Sequence, residues 1–178
     1  YATHRALDGL LDLHAEHGIA LADVARVEIE TSPGALVPLI HHRPATGLQG
    51  KFSLEYAVAA ALLDGHIGLA TFTDEAVQRP AIQAFLPFVQ GRSTQGDSIL
   101  PRWALVRLYT RDGQRIERRI DALRGSAALP LTDDALVAKA ADCYGWVGLQ
   151  GDAGAQLAIA SNPAARAEDF LTIVRQEK

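Results

Sequence analysis

The sequence predicts an α+β fold: a mostly antiparallel sheet packed with helices around a buried central helix at about 53–64, followed by C-terminal helices. Three observations predict it. The run from Leu54 to Leu63 is apolar on every face except at Glu55, with Ser53 as an N-cap and Asp64-Gly65 as a stop. A helix apolar all round has to be enclosed by protein, and a ten-residue run is too short to cross a bilayer. Val24 to Glu30 alternates as a half-buried strand does, and Trp103–Thr110 and Arg115–Ala122 flank Asp112-Gly113 as a hairpin. The strands and helices do not alternate strictly along the chain, which favours α+β over a parallel α/β sheet.

The first helix is expected from Thr3, as N-cap, to about Glu16, with Leu7, Leu10, Leu11 and His14 on one face and Gly18 as terminator. In the strand that follows, Ala25, Val27 and Ile29 point one way and Arg26, Glu28 and Glu30 the other. Pro33-Gly34 turns the chain, Ala35–Ile40 is a short apolar segment of one or two helical turns, and His41-His42-Arg43-Pro44 is a polar loop. After the central helix, Thr73-Asp74-Glu75 starts a small helix through Gln78, and Arg79-Pro80 starts another to about Phe85. Pro87–Val89 is extended, and Gln90–Arg102 reads as a loop rich in Gly, Ser and Pro. In the hairpin, Ala104, Val106 and Leu108 share a face, and Arg118-Arg119 form a solvated edge. Thr132 caps a helix to about Cys143 with Asp133 and Asp134 in its first turn. Gly145, Gly148, Gly151 and Gly154 weaken the next stretch, and Pro163–Gln176 is a last helical pattern with Phe170, Leu171 and Val174 on a face.

A chain of 178 residues is long enough for a proper core, and its 48% apolar and 21% charged residues are ordinary for a globular protein. The net charge of −4 gives no electrostatic case for nucleic acid. A lone cysteine, Cys143, allows no internal disulfide and reads as a small buried residue rather than a nucleophile. No signal peptide or membrane span is visible. The chain opens on Tyr1 directly before a helix and has no Met, which reads as a fragment or a processed chain.

Few residues suggest chemistry by themselves. Lys51, with Gly50 before it, stands at the N-terminus of the central helix, where partial positive charge and free amides favour an anion such as a carboxylate. The plainer reading is a lysine whose stem packs while its amine reaches water. His14 and His17 have helical spacing for a metal but no third ligand, and adjacent His41 and His42 have no acidic or thiol partner nearby, so no metal is expected.

Several stretches together resemble the MmgE/PrpD family. They are Lys51-Phe52-Ser53-x-x-Tyr56-x-Val58-Ala59-x-Ala61-Leu62-Leu63-x-Gly65 with Phe72 and Pro80, then Thr3-His4-Arg5-Ala6-Leu7-Asp8. Arg124-Gly125-Ser126, Pro130-Leu131-Thr132-Asp133-Asp134, Lys139 and Asp142-Cys143 also agree. That family includes 2-methylcitrate dehydratases, cis-aconitate decarboxylases and iminodisuccinate epimerases. The resemblance implies a C-terminal lid-like domain over residues 1–145 and, over residues 146–178, a helical extension made for an N-terminal helical domain of the parent chain. It implies His4 in the cleft between domains as catalytic acid or base, Lys51 as a substrate-binding residue, a small carboxylic acid as substrate and no cofactor. It further implies a cytoplasmic homodimer that binds neither nucleic acid nor membrane. The segment that precedes the Thr-His pair in the family is not in this chain, so one wall of an active site is expected here, inactive alone. The other reading is a non-catalytic module that binds an acid metabolite or a partner protein.

Overall fold

The computed structural model describes residues 1–98, 100–171 and 174–176. The chain forms two compact units, Tyr1–Leu129 and Pro130–Lys178.

In the first unit, helix α1 (His4–His17) is followed by strand β1 (Val24–Thr31). Helices α2 (Gly47–Gly50), α3 (Leu54–Asp64), α4 (Asp74–Val77) and α5 (Pro80–Phe85) then lead to β2 (Val89–Ser93), β3 (Ala104–Thr110) and β4 (Arg115–Ile120). The four strands form one sheet in the order β2-β1-β3-β4. β1 pairs antiparallel with β3, as β3 does with β4, so the sheet is mostly antiparallel as expected. β1 and β2 run parallel, because a long helical connection, not a hairpin, joins them.

α3 is enclosed as its composition requires. Tyr56, Val58, Ala59 and Leu62 have no exposed surface, and they join one cluster with Leu10, Val27, Ile29, Val106 and Leu108. α3 lies mainly against α1, α5 and β2, while α1 covers β3 and β4. Ser53 caps α3 through a bond from the Tyr56 amide to its Oγ (3.1 Å), and Gly65 closes it in the left-handed conformation (φ 69°). The far face of the sheet is a charged ladder. Arg92 and Arg107 both donate to Glu30 at 2.8 Å, and Tyr109 donates to Glu28 at 3.1 Å.

The structure corrects several local expectations. Thr3 itself adopts helical angles (φ −84°, ψ −20°) and its hydroxyl makes no capping bond, because the chain already turns at Tyr1, whose carbonyl accepts from the His4 amide. A register shift between Val24 and Arg26 buries Val24 and leaves Ala25 partly exposed, so the alternation fails at the start of β1. Residues 34–38 form successive turns, with bonds such as Val37 N to Gly34 O, instead of a helix. Gln90–Ser93, read as loop, belongs to β2; β1 supplies its ladder although only Val89 of this strand is buried. Arg118 and Arg119 lie on the edge strand β4 as expected, and Arg118 there makes an exposed two-pronged pair with Glu16 of α1, at 2.9 and 2.5 Å.

The second unit contains α6 (Asp133–Trp146), β5 (Leu149–Gly151), α7 (Ala153–Ala160), α8 (Ala167–Leu171) and β6 (Val174–Gln176). Thr132 caps α6 as expected, accepting from the Ala135 amide at 3.2 Å. The helix continues through Gly145 to Trp146, three residues past the expected end at Cys143, and Cys143 is exposed instead of buried. Gly148 (φ 66°) then starts the strand that pairs antiparallel with β6. The last helical pattern is therefore split into α8 and β6; its proposed face of Phe170, Leu171 and Val174 lies outside the described side chains.

Two outcomes follow from this packing. Leu62 has no exposed surface whereas its neighbour Leu63 is 37% exposed. Leu62→Ala is expected to destabilise the chain by about 2–5 kcal/mol and Leu63→Ala by less than about 1.5 kcal/mol, measured by urea unfolding. Hydrogen bonds from Arg92 and Arg107 hold the Glu30 carboxyl below its ordinary range. A depressed carboxylate contributes stability above its unfolded pKa and loses that contribution as pH falls through the folded value. The stability gap between the native chain and Glu30→Gln, of order 1 kcal/mol at neutral pH, should therefore close as pH falls from about 5 to about 3.

Candidate functional site

Helix α1, which carries His4, and helix α3, which begins three residues after Lys51, run side by side in the same direction. Leu7 of α1 packs with Ala57 and Ala61 of α3. One turn or two further on, the His14 ring lies so close to Gly65 that a Cβ there would meet Nε2 at 2.6 Å. Both helices thus begin at one edge of the unit. The same edge holds the C-terminal ends of β1 and β2: Tyr1, Ala2 and Arg5 face Thr31, Ser32 and Ala104, and Leu54 lies on Gly91.

His4 is the first residue of α1 and is exposed at this edge. Its ring is tilted 57° against that of Tyr1, with centroids 5.8 Å apart. A surface imidazole at a helix start has access to both solvent and ligand, as a proton-transfer group needs.

Lys51 is also exposed, in the two-residue space between Gly50 and Ser53. Its backbone is fixed by close packing. The Lys51 amide donates to the Gly47 carbonyl (3.2 Å), and the Gly47 amide donates to Asp74 Oδ1 (2.7 Å). A side chain at position 47 would strike the Phe72 carbonyl oxygen at 2.0 Å, so only glycine lets this loop lie against the 72–74 segment. Gln78 Nε2 donates to the Ala45 carbonyl (2.7 Å) and adds a further tie. The helix start beside Lys51 already has acidic company: Glu55 pairs with His42 at 2.7 Å and accepts from Ser53 Oγ at 3.4 Å. Lys51 is exposed beside this group, in which Ser53 Oγ accepts from the Tyr56 amide of the first turn of α3 and donates to Glu55.

A third feature of this edge escaped the sequence reading. Ser32, Arg5 and Arg102 come from a turn, a helix and a loop, and they line one narrow cleft of about 20 Å³. The Arg5 Nε and Ser32 Oγ atoms are enclosed with no hydrogen-bond partner. No spacing in the sequence links these positions, so only the topology reveals them.

The other candidates go to structural uses. His14 Nδ1 bonds the Ile19 carbonyl at 2.8 Å, inside the turn after α1. Tyr56, at the heart of the family-like stretch, donates its hydroxyl to the Thr71 carbonyl, and burial pushes its pKa up although Arg79 opposes this. Arg79 is held in turn by Asp64 through two bonds of 2.6 Å. This group ties the end of α3 to the segment after it. A shallow hollow of about 450 Å³ lies at the other end of α1, between His17 and Asp112, and contains neither His4 nor Lys51. Among the described residues, no three His, Cys, Asp or Glu side chains gather as metal ligands, and no helix is long and apolar enough to cross a membrane.

No curated protein matches the chain significantly. A family model described as the MmgE/PrpD C-terminal domain matches residues 1–162, which covers both the edge with His4 and Lys51 and the helix that caps on Thr132. The chain therefore belongs to the MmgE/PrpD family, as its C-terminal domain.

Proposed function

We propose that this chain supplies one wall of the active site of an enzyme acting on a small di- or tricarboxylic acid. The observation that carries the reading is the shared edge: exposed His4 starts α1, and exposed Lys51, which ends α2, lies two residues before the N-cap of α3, the helix packed parallel to α1. Parallel helices add their positive ends, and that field favours a polyanionic substrate.

The chemistry is proton transfer at the carbon next to a carboxylate. His4 takes or gives the proton, and Lys51 holds a carboxylate and stabilises the negative charge that develops on it. In a dehydration the proton leaves carbon as hydroxide departs from its neighbour. In a decarboxylation carbon dioxide leaves and the carbanion is protonated; in an epimerisation the proton returns on the opposite face. All three need a second acid or base across the substrate and a closed, water-poor cleft. We assign those to an N-terminal helical domain of the parent chain, against which the second unit would also pack, in a cytoplasmic homodimer that works without a metal.

In the parent enzyme, His4→Ala is expected to lower kcat by about 10²-fold or more, while the 178-residue chain alone turns over no tricarboxylic acid. Steady-state kinetics on citrate, 2-methylcitrate, cis-aconitate and iminodisuccinate checks both. Unchanged kcat and KM in His4→Ala would show that His4 is only a helix-start residue and leave Lys51 as the remaining candidate.

A further inference from the structure

Ser32 is 1% exposed, yet its hydroxyl has no partner, and the same holds for the Nε of Arg5. Folding rarely leaves a hydroxyl and a guanidinium N–H enclosed together without an acceptor, since each has given up its water. Both side chains line the cleft between the start of α1, the end of β1 and the start of β3, and Arg102 and Trp103 line it with them. Ser32 is held in place by its backbone: its amide donates to the Trp103 carbonyl and its carbonyl accepts from the Ala35 amide, both at 3.3 Å. The Arg102 guanidinium stands 5.2 Å from the centre of the Tyr1 ring, which props it at the cleft.

The charge here is also unbalanced. Arg79, Arg92, Arg107, Arg118 and Arg124 each hold a carboxylate of the chain. Among the described residues, neither Arg5 nor Arg102 is ion-paired with a carboxylate. The first turn of α1 contains no acidic residue, so its positive end adds to the two guanidiniums. Two cations, a helix start and an unsatisfied hydroxyl converge on a space of about 20 Å³. That space is about the size of one water and admits a single oxygen of an acid group, which the guanidiniums can hold whether it belongs to a carboxylate or a phosphate.

We propose that Ser32, Arg5 and Arg102 form a carboxylate subsite. It receives one carboxylate of a di- or tricarboxylic acid, while the rest of the molecule lies over the edge that carries His4. Ser32 Oγ and Arg5 Nε each donate to the carboxylate, and Arg102 supplies charge from the mouth. The inference deepens the reading above and takes its substrate class from it.

Isothermal titration calorimetry of the 178-residue chain with tricarballylate, and separately with inorganic phosphate, tests it. Saturable tricarballylate binding is expected, weakened about tenfold by Ser32→Ala and by Arg102→Gln and unchanged by Arg111→Gln at the other end of α1. Arg102 is half-buried, so Arg102→Gln decides the matter if Ser32→Ala fails to fold by circular dichroism. The subsite is overturned by absence of saturation at about 10 mM tricarballylate, by unaltered affinity in the folded variants, or by equal or tighter phosphate binding. A water trapped between Ser32 and Arg5 would give the first of these results. Unaltered affinity together with a large kcat loss in His4→Ala would remove the subsite and leave the enzymatic reading standing. Weakened affinity with unchanged turnover in His4→Ala would keep the subsite and remove His4 from the chemistry.

Discussion

The first unit is built around a helix that has no polar side to turn to water. Eight of the eleven residues of α3 are buried, so neighbours must cover almost its whole circumference. α1 covers one side, β2 and α5 cover others, and the small residues Ala57 and Ala61 let Leu7 approach closely. That enclosure fixes the direction of α1 relative to α3. Two parallel helices side by side oppose each other electrostatically, because their like ends are adjacent. Burial of apolar surface outweighs that modest cost, and the consequence is an edge with a standing positive potential.

What distinguishes this edge is which charges are already answered. Over most of the first unit, cations and anions are matched within the chain, as in the Glu30 ladder on the far face of the sheet or the pair of Arg118 with Glu16. Near the start of α3, Glu55 and His42 answer each other, and Lys51 is exposed. At the start of α1, Arg5 and Ser32 keep enclosed donors with nothing to accept from them. Unmet donors next to an exposed imidazole are the features on which the proposed acid-binding edge rests.

The parts legible in the sequence were those decided locally. Ser53, Thr73 and Thr132 cap helices because each hydroxyl meets an amide three residues on, and Asp112-Gly113 turns the hairpin with Gly113 at φ 91°. The extension of β2 past Val89 was missed because its partner lies about sixty residues upstream, Glu30 opposite Arg92, and four of its five residues are exposed. Gly145 was read as a break, yet one glycine costs a helix only about 1 kcal/mol, and α6 carries on past it. Cys143 followed the habit of its residue type, but α6 buries none of its residues. Of the candidate site, His4 and Lys51 were legible through short motifs. The cleft of Arg5, Ser32 and Arg102 was not, since its members meet only once α1 lies across the strand ends.

If an acid ligand sits on the common edge by the starts of α1 and α3, amide chemical-shift mapping of the chain titrated with tricarballylate will show perturbations concentrated at residues 3–6, 31–33, 51–53 and 102–104, with the hollow between His17 and Asp112 silent. Perturbations centred on that hollow, or spread evenly over the surface, would contradict that placement.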